Sequence, residues 1–501
     1  MSIARKILSN TIAQIIGKAA LAILGLGVVK ISTTYLSVQG YGEYVMVYEF
    51  LAFFGIAADL GLFTIAVKEM SKDESRIPKL IGNIISLRTI LVIITMGAAV
   101  ATVYLIPSYK TTHVALGVAI ASITTFLTII NGTISSVLQT KLQMGLASIA
   151  VVVGKIVSVS IMAYVVFFGF PDNKEMGFYM LIMAGIFGNL AMTMMTNHYV
   201  RKITPIEYRF DFDIWKDVFV KALPYGLALI LNTVYFRVNS LFISMMRGQE
   251  EVGIYAVAMR ILEQLTVLPL YFMNSVLPVL TKSLQEKNDK YKNIIKYSFD
   301  FLAAMAVPMA VGGVVLATST ISIISTKDYL SHEGFYGSDV ALKILVLAVL
   351  FQFLNILFSF ILVALNKQTK LLYINAACVL FAILADFIFV PIYGFRGATA
   401  TSVLSELFIL LGTYFVAKKY LDFSINFKNL FKIIFSALVM GLALYLLEPI
   451  TYKFLHHWNV ILLVLVGIGI YGIMLIVTKT VSKEMLQLLK KTKATPIDIG
   501  K

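Results

Sequence analysis

The sequence predicts an all-α polytopic membrane protein, and three observations carry that prediction. Hydrophobic residues make up 59% of the 501 residues and charged ones only 14%, where a soluble chain carries about 25% charged residues. The apolar residues come in continuous runs of membrane-spanning length, not in the alternating pattern of a transmembrane β-barrel. Lysine and arginine concentrate in every second connection between those runs, as they do on the cytoplasmic side of a membrane protein. A chain this apolar leaves no room for a sizeable soluble domain.

Requiring ~17–25 predominantly apolar residues per span gives fourteen. They lie at approximately 10–31, 44–67, 83–106, 114–137, 146–168, 177–199, 219–245, 253–280, 298–324, 341–365, 371–393, 397–417, 429–447 and 458–478. The first sits behind Arg5 and Lys6 but is too long for a signal-peptide core, and no small-residue cleavage site follows, so it is expected to remain as a span. An even number puts both termini on one side. The two tails and alternate connections hold 29 Lys and Arg against 7 in the opposite connections, which places both termini in the cytoplasm. The same distribution accounts for the net charge of +15 without nucleic acid. The outside connections are short, the longest being about fifteen residues near Thr326–Val340, which excludes an external catalytic domain.

An internal repeat relates the two halves. Gly40-Tyr41-Gly42-Glu43-Tyr44 in the first outside turn parallels Glu251-Val252-Gly253-Ile254-Tyr255 in the fourth, with Gly42 and Gly253 offset by 211 residues. That offset lays span 1 on span 7 and span 2 on span 8, pointing the same way. Two parallel six-helix lobes are therefore expected, 1–215 and 216–420, about an axis along the membrane normal. Residues 421–501 add spans 13 and 14 and a basic tail.

The spans that carry charge suggest the chemistry. On span 7, Gly226, Thr233, Arg237, Ser240 and Ser244 share a helical face, with Asn232 and Asn239 beside it. A charge at mid-bilayer costs roughly 3 kcal/mol, so it faces a wet cavity or a partner, and a guanidinium grips phosphate bidentately. The plainer alternative is that Arg237, ~12 Å from the outer helix end, snorkels to the interface. On span 8, Arg260, Glu263 and Gln264 share a face, either for a ligand or as an ion pair that neutralises itself. Lys18 shares a face of span 1 with Thr11 and Gln14. Arg88 lies on span 3 and Lys155 on span 5; Lys18 and Arg88 also suit interfacial anchoring. Five acids lie within spans: Glu49 and Asp59 on span 2, Asp300 on span 9, Asp386 on span 11 and Glu406 on span 12. Carboxylates in low dielectric can hold H⁺ or Na⁺, with Glu49 and Asp386 the deepest and Asp59 near a helix end.

The sequence lacks G-x-x-x-x-G-K-[ST], so ATP hydrolysis is unsupported. No histidine pair has metal-ligand spacing on a helix. The one cysteine, Cys378, reads as a small buried hydrophobe. No cofactor is expected beyond a coupling ion.

Several passages together resemble one family. These are Tyr35-Leu36 with Gly40-Tyr41-Gly42-Glu43-Tyr44 and Asp59-Leu60-Gly61-Leu62. Ala222-Leu223-Pro224 with Phe236-Arg237-Val238-Asn239-Ser240 follows, and then Val252-Gly253-Ile254-Tyr255-Ala256 with Arg260-Ile261-Leu262-Glu263. The last runs from Pro391 to Thr401, followed by Glu406. Across about residues 8 to 420 they are similar to polysaccharide transporters, the O-antigen flippase-like branch of the multidrug/oligosaccharidyl-lipid/polysaccharide (MOP) flippase superfamily. An acidic residue is commoner in that family where this chain has Asn239. The resemblance implies a V-shaped, two-lobe protein that moves an undecaprenyl-pyrophosphate-linked oligosaccharide to the outer leaflet, coupled to H⁺, Na⁺ or membrane potential. Its partners would be membrane lipids and the glycan polymerase machinery. Spans 13 and 14 resemble the pair that forms a lipid-tail groove in lipid II flippases.

The residues point the same way. Lys18, Arg88, Lys155, Arg237 and Arg260 favour an anionic headgroup, whereas a drug or cation antiporter should have an acidic, aromatic interior. Ion coupling is expected at Glu49, Asp386, Glu263, Asp59 and Glu406. A lipid II flippase, a polysaccharide polymerase or ligase, and a non-transporting scramblase are the competing readings.

Overall fold

The computed structural model describes residues 3–286 and 289–480, the side chains of 3–13, 15, 228 and 232 aside. Thr11 and Asn232 by their side chains, and the basic tail beyond Thr480, lie outside the described residues. Helices follow one another as α1 (Ile3–Tyr35), α2 (Val38–Asp59), α3 (Leu62–Lys72), α4 (Ile77–Leu105), α5 (Val114–Thr140), α6 (Met144–Tyr164) and α7 (Lys174–Arg201). Then come α8 (Phe212–Met246), α9 (Gln249–Leu265), α10 (Val267–Gln285), α11 (Lys290–Val315), α12 (Ala317–Ile324) and α13 (Ser338–Ala364). The chain closes with α14 (Gln368–Tyr393), α15 (Phe395–Tyr420), α16 (Phe427–Leu455) and α17 (Asn459–Val477). Among the described residues there is no sheet, only one antiparallel bridge between His332 and Phe335. The all-α prediction holds because backbone polar groups in lipid must be satisfied within their own segment.

Among the described residues, twelve runs qualify by length and apolarity to cross a membrane, or thirteen when the halves of α8 are joined across a 40° bend. The expected count of fourteen is not reached on this measure. Residues 427–477 qualify as a single run, although a turn at His456–Trp458 divides α16 from α17.

One break within an apolar run bears on the site. Helix α2 stops because Leu60 (φ 42°) and Gly61 (φ 76°) adopt left-handed backbone, a conformation that costs a non-glycine residue roughly 1–2 kcal/mol. Helix α8 is seated directly on that break. A Cβ added at Gly226 would lie 2.6 Å from the Leu60 carbonyl oxygen, and one at Gly61 would lie 2.6 Å from Tyr225 Cδ1. Asp59, the last residue of α2, is thereby held beside α8 and α4.

The chain forms two compact units. One comprises Met1–Val257, Ile324–Asp328 and Ala382–Ala398; the other comprises Ala258–Ile323, Tyr329–Phe381 and Thr399–Lys501. In the first, α1 packs on α6, α6 on α7 and α7 on α5, while α2 lies against α4, α5 and α8. Fully buried Met70, Ile81, Val137 and Val200 belong to its apolar core. In the second, α11 packs on α13 and α16, and α16 packs on α17.

The repeat read from the sequence reappears as a reciprocal contact inside the first unit. A Cβ added at Gly42 would fall 1.7 Å from the Gln249 carbonyl oxygen, and one at Gly253 would fall 2.3 Å from that of Val38. Val38 and Gln249 are themselves 211 residues apart, the same offset as the two glycines. Each helix start thus presents to the other what it receives, the signature of a local two-fold relation.

The second repeat turn also receives a helix start. Glu251 Oε2 accepts from the Phe395 backbone N–H at 2.6 Å, and Glu251 Oε1 accepts from Arg247 Nε at 2.9 Å. This satisfies one of the orphan donors at the start of α15 and favours its positive end. Glu251→Ala is expected to cost about 1 kcal/mol, the usual value of such a cap, read as a lowered unfolding midpoint in detergent.

Candidate functional site

The break in α2 opens onto a cleft of about 510 Å³ in the first unit, bounded by α2, α4, α5 and α8. Its volume falls within the ~300–1,000 Å³ of small-ligand sites. Arg88, Arg237 and Asp59 line it, with Thr125, Thr128 and Thr233 among the neutral groups.

Both arginines are partnered by acids of α2. Arg237 Nη1 donates to Glu49 Oε1 at 2.5 Å, and Glu49 is buried while the Arg237 side chain is 29% exposed. This contact reaches inward to another helix, so Arg237 does not simply snorkel. Arg88 donates through Nη2 to Asp59 Oδ1. Arg88 is only 2% exposed, and its Nε and Nη1 make no hydrogen bond among the described residues. Buried polar groups are ordinarily satisfied, and two unused charged donors beside a cleft are the ready half of an anion contact.

Of the polar face of span 7, part packs against protein and part faces the cleft. Gly226 meets the break in α2, Thr233 and Arg237 face the cleft, and Ser244 hydrogen bonds with Tyr109 and Gln249, both at 2.9 Å. Asn239 Nδ2 donates to the Ala398 carbonyl at 3.1 Å.

The other residues singled out from the sequence lie elsewhere. Arg260 donates to Glu263 Oε2 at 2.8 Å on one turn of α9 in the second unit, the self-neutralising arrangement. Lys18 on α1 is exposed and Lys155 on α6 half-buried, and neither lines the cleft. Glu406 is buried and accepts from Asn355 Nδ2 at 3.0 Å. Asp386 is fully buried on α14. Asp300 accepts from Asn429 Nδ2 at 2.7 Å, and Cys378 is fully buried. Sequence reasoning did not single out Thr125 and Thr128 of α5; on an apolar span a lone threonine usually bonds its own helix. Thr128 does so, to the Thr124 carbonyl, and also donates to Asn189 Oδ1, each at 2.8 Å.

The chain is thus a many-helix membrane protein with a charged cleft inside one compact unit, and comparison with known proteins gives the family. The profile described as "Polysaccharide biosynthesis protein" matches residues 4–284, and that described as "MatE" matches residues 224–388. The chain belongs to the polysaccharide biosynthesis protein family. Capsular polysaccharide biosynthesis protein CapF of Staphylococcus aureus is 20% identical over 270 residues, covering 52% of this chain and 64% of CapF. The match thus spans less than two thirds of that relative. Among solved structures, lipid II flippase MurJ in an inward closed conformation superposes with a TM-score of 0.73 at 17% identity, over 93% of this chain and 98% of that one. An inward-facing multidrug resistance MATE family transporter gives 0.60 at 14% identity, over 84% and 98%. A MOP superfamily transporter from Pyrococcus furiosus, whose binding pocket is described as of reverse polarity, gives 0.59 at 15% identity, over 83% and 95%. These likenesses show the fold.

Proposed function

We propose that this chain carries a glycan linked to a polyprenyl pyrophosphate from the inner to the outer leaflet of the cytoplasmic membrane by alternating access, with both termini cytoplasmic. The observation that carries the reading is Arg88, buried, facing the cleft and with two guanidinium nitrogens unengaged. With Arg237 it supplies two planar, permanently charged donors suited to phosphate. The family, the capsular polysaccharide relative and the lipid II flippase fold support the same substrate class. No bond is made or broken in this reading; the protein is a transporter, driven by H⁺, Na⁺ or membrane potential. Glycan polymerase machinery would use what it delivers. A cation antiporter is disfavoured because the acid lining this cleft, Asp59, is already bound to a guanidinium.

The test is leaflet transfer of a labelled lipid-linked oligosaccharide by full-length protein in liposomes. Arg237→Ala is expected to slow transfer at least roughly tenfold, the loss of one charged phosphate contact at about 1.5–3 kcal/mol, with the unfolding midpoint recorded alongside. Undiminished transfer would remove Arg237 from the mechanism.

A further inference from the structure

Three charged groups line the cleft, Arg88, Arg237 and Asp59, and a fourth, Glu49, is buried behind Arg237 and outside the lining. Arg88 and Arg237 were candidates for the headgroup, Asp59 and Glu49 for the coupling ion. The structure joins them one to one, Arg88 with Asp59 and Arg237 with Glu49. Their four formal charges cancel.

A pyrophosphate diester carries two negative charges. Added to a neutral site, it would leave that excess uncompensated within the membrane, where even one charge costs roughly 3 kcal/mol or more. The headgroup also needs the same guanidinium edges that the carboxylates occupy. Arg88 is the readier of the two, because its Nε and Nη1 hold no hydrogen bond among the described residues; both atoms are buried, so a phosphate oxygen reaches them only as the wall of the cleft moves. A carboxylate displaced beside phosphate oxygens loses its cation and gains like charges, an excess within the membrane that bound protons would cancel.

We propose that the two arginine–carboxylate pairs are exchangeable. Phosphate oxygens replace Asp59 on Arg88 and Glu49 on Arg237, each released carboxylate takes a proton from water, and the anion loads with up to two protons. This rests on the flippase reading and names the residues through which anion binding is linked to protons. The surroundings suit the exchange. Helix α4 brings Arg88 to the cleft, α8 brings Arg237, α5 brings only threonines among its polar groups, and α2 itself adds Tyr48. The other titratable contacts of α2 lie outside the lining: Glu43 with His113 at the start of α5, and Tyr109, whose ring packs on Phe50. Protons taken up therefore have two acceptors, one per guanidinium.

The experiment is calorimetric titration of purified full-length protein with a short-chain prenyl diphosphoryl-glucose, whose pyrophosphate diester does not titrate near neutral pH. Repeating it at one pH in buffers of different ionisation enthalpy counts the protons taken up. Wild type is expected to take up between one and two, and its affinity to fall roughly tenfold per pH unit for each proton linked. Glu49→Gln should bind at least as tightly, with an uptake lower by as much as one proton. Binding without proton uptake and with pH-independent affinity would overturn the exchange while leaving the anion site standing. Failure of the diphosphoryl ligand to bind, or equal binding of a prenyl glucoside lacking the pyrophosphate, would overturn the flippase reading and this proposal with it. The wild-type count decides the matter even if a variant fails to fold.

Discussion

Asp59→Ala is expected to destabilise the folded chain by about 3–5 kcal/mol, the usual consequence of removing one partner from a buried ion pair. The expectation follows from the asymmetry of the pair. The Arg88 side chain is only 3% exposed and that of Asp59 is 24% exposed, so the guanidinium cannot turn to water when its carboxylate is lost. Replacing both residues by apolar ones, Asp59→Leu with Arg88→Met, should recover most of the loss, because neither charge is then stranded. The double variant should nonetheless be impaired in leaflet transfer, since it lacks the Arg88 donors and keeps only Arg237 at the cleft. Unfolding midpoints in detergent and liposome transfer check the two halves. An Asp59→Ala protein as stable as wild type would show that Arg88 is not held as described.

Gly42→Ala and Gly253→Ala should each be severe, and about equally so. A methyl group at either position would sit inside the contact distance of a backbone carbonyl on the other helix, 1.7 Å in one case and 2.3 Å in the other. No rotamer change relieves a clash with main chain, so α2 and α9 must separate. Overpacking of this kind costs roughly 1–3 kcal/mol and occasionally more. At the crossing of two helices it should also reduce leaflet transfer by about tenfold or more. Gly97→Ala is the control. That exposed glycine of α4 has nothing within 4 Å of an added Cβ, and alanine in a helix interior is favoured over glycine by about 0.5–1 kcal/mol. If Gly42→Ala behaves like Gly97→Ala, the close crossing is wrong.

The architecture was legible because lipid imposes it locally. Continuous apolar runs speak for themselves, whereas the breaks that divide the runs at 44–67, 253–280 and 298–324 into two helices each were not read from them. Gly42 and Gly253 were also legible as equivalents, since both keep a nearby tyrosine at the same spacing. Their mutual contact was not, because a repeat offset says nothing of which helices cross. The cleft was half legible. Arg237 and the polar face around it stood out in span 7, and Glu49 and Asp59 stood out in span 2. Nothing local joins Arg237 to Glu49 across 188 residues, or Arg88 to Asp59 across 29. Those pairings need the break at Leu60–Gly61 and the seating of Gly226 upon it, and only the folded chain supplies both. By contrast, Arg260 and Glu263 pair within one helical turn, which spacing alone had offered as an alternative.

Under the proposed function, the selectivity of this chamber is poised on very few atoms. With its cations and anions in balance, polarity is decided by whichever member of each couple is withdrawn. Neutral substitutes for Arg88 and Arg237 would leave Glu49 and Asp59 behind, and the same scaffold would then welcome positively charged guests. Inversion of preference in this fold therefore asks for two side-chain exchanges and no rearrangement of helices.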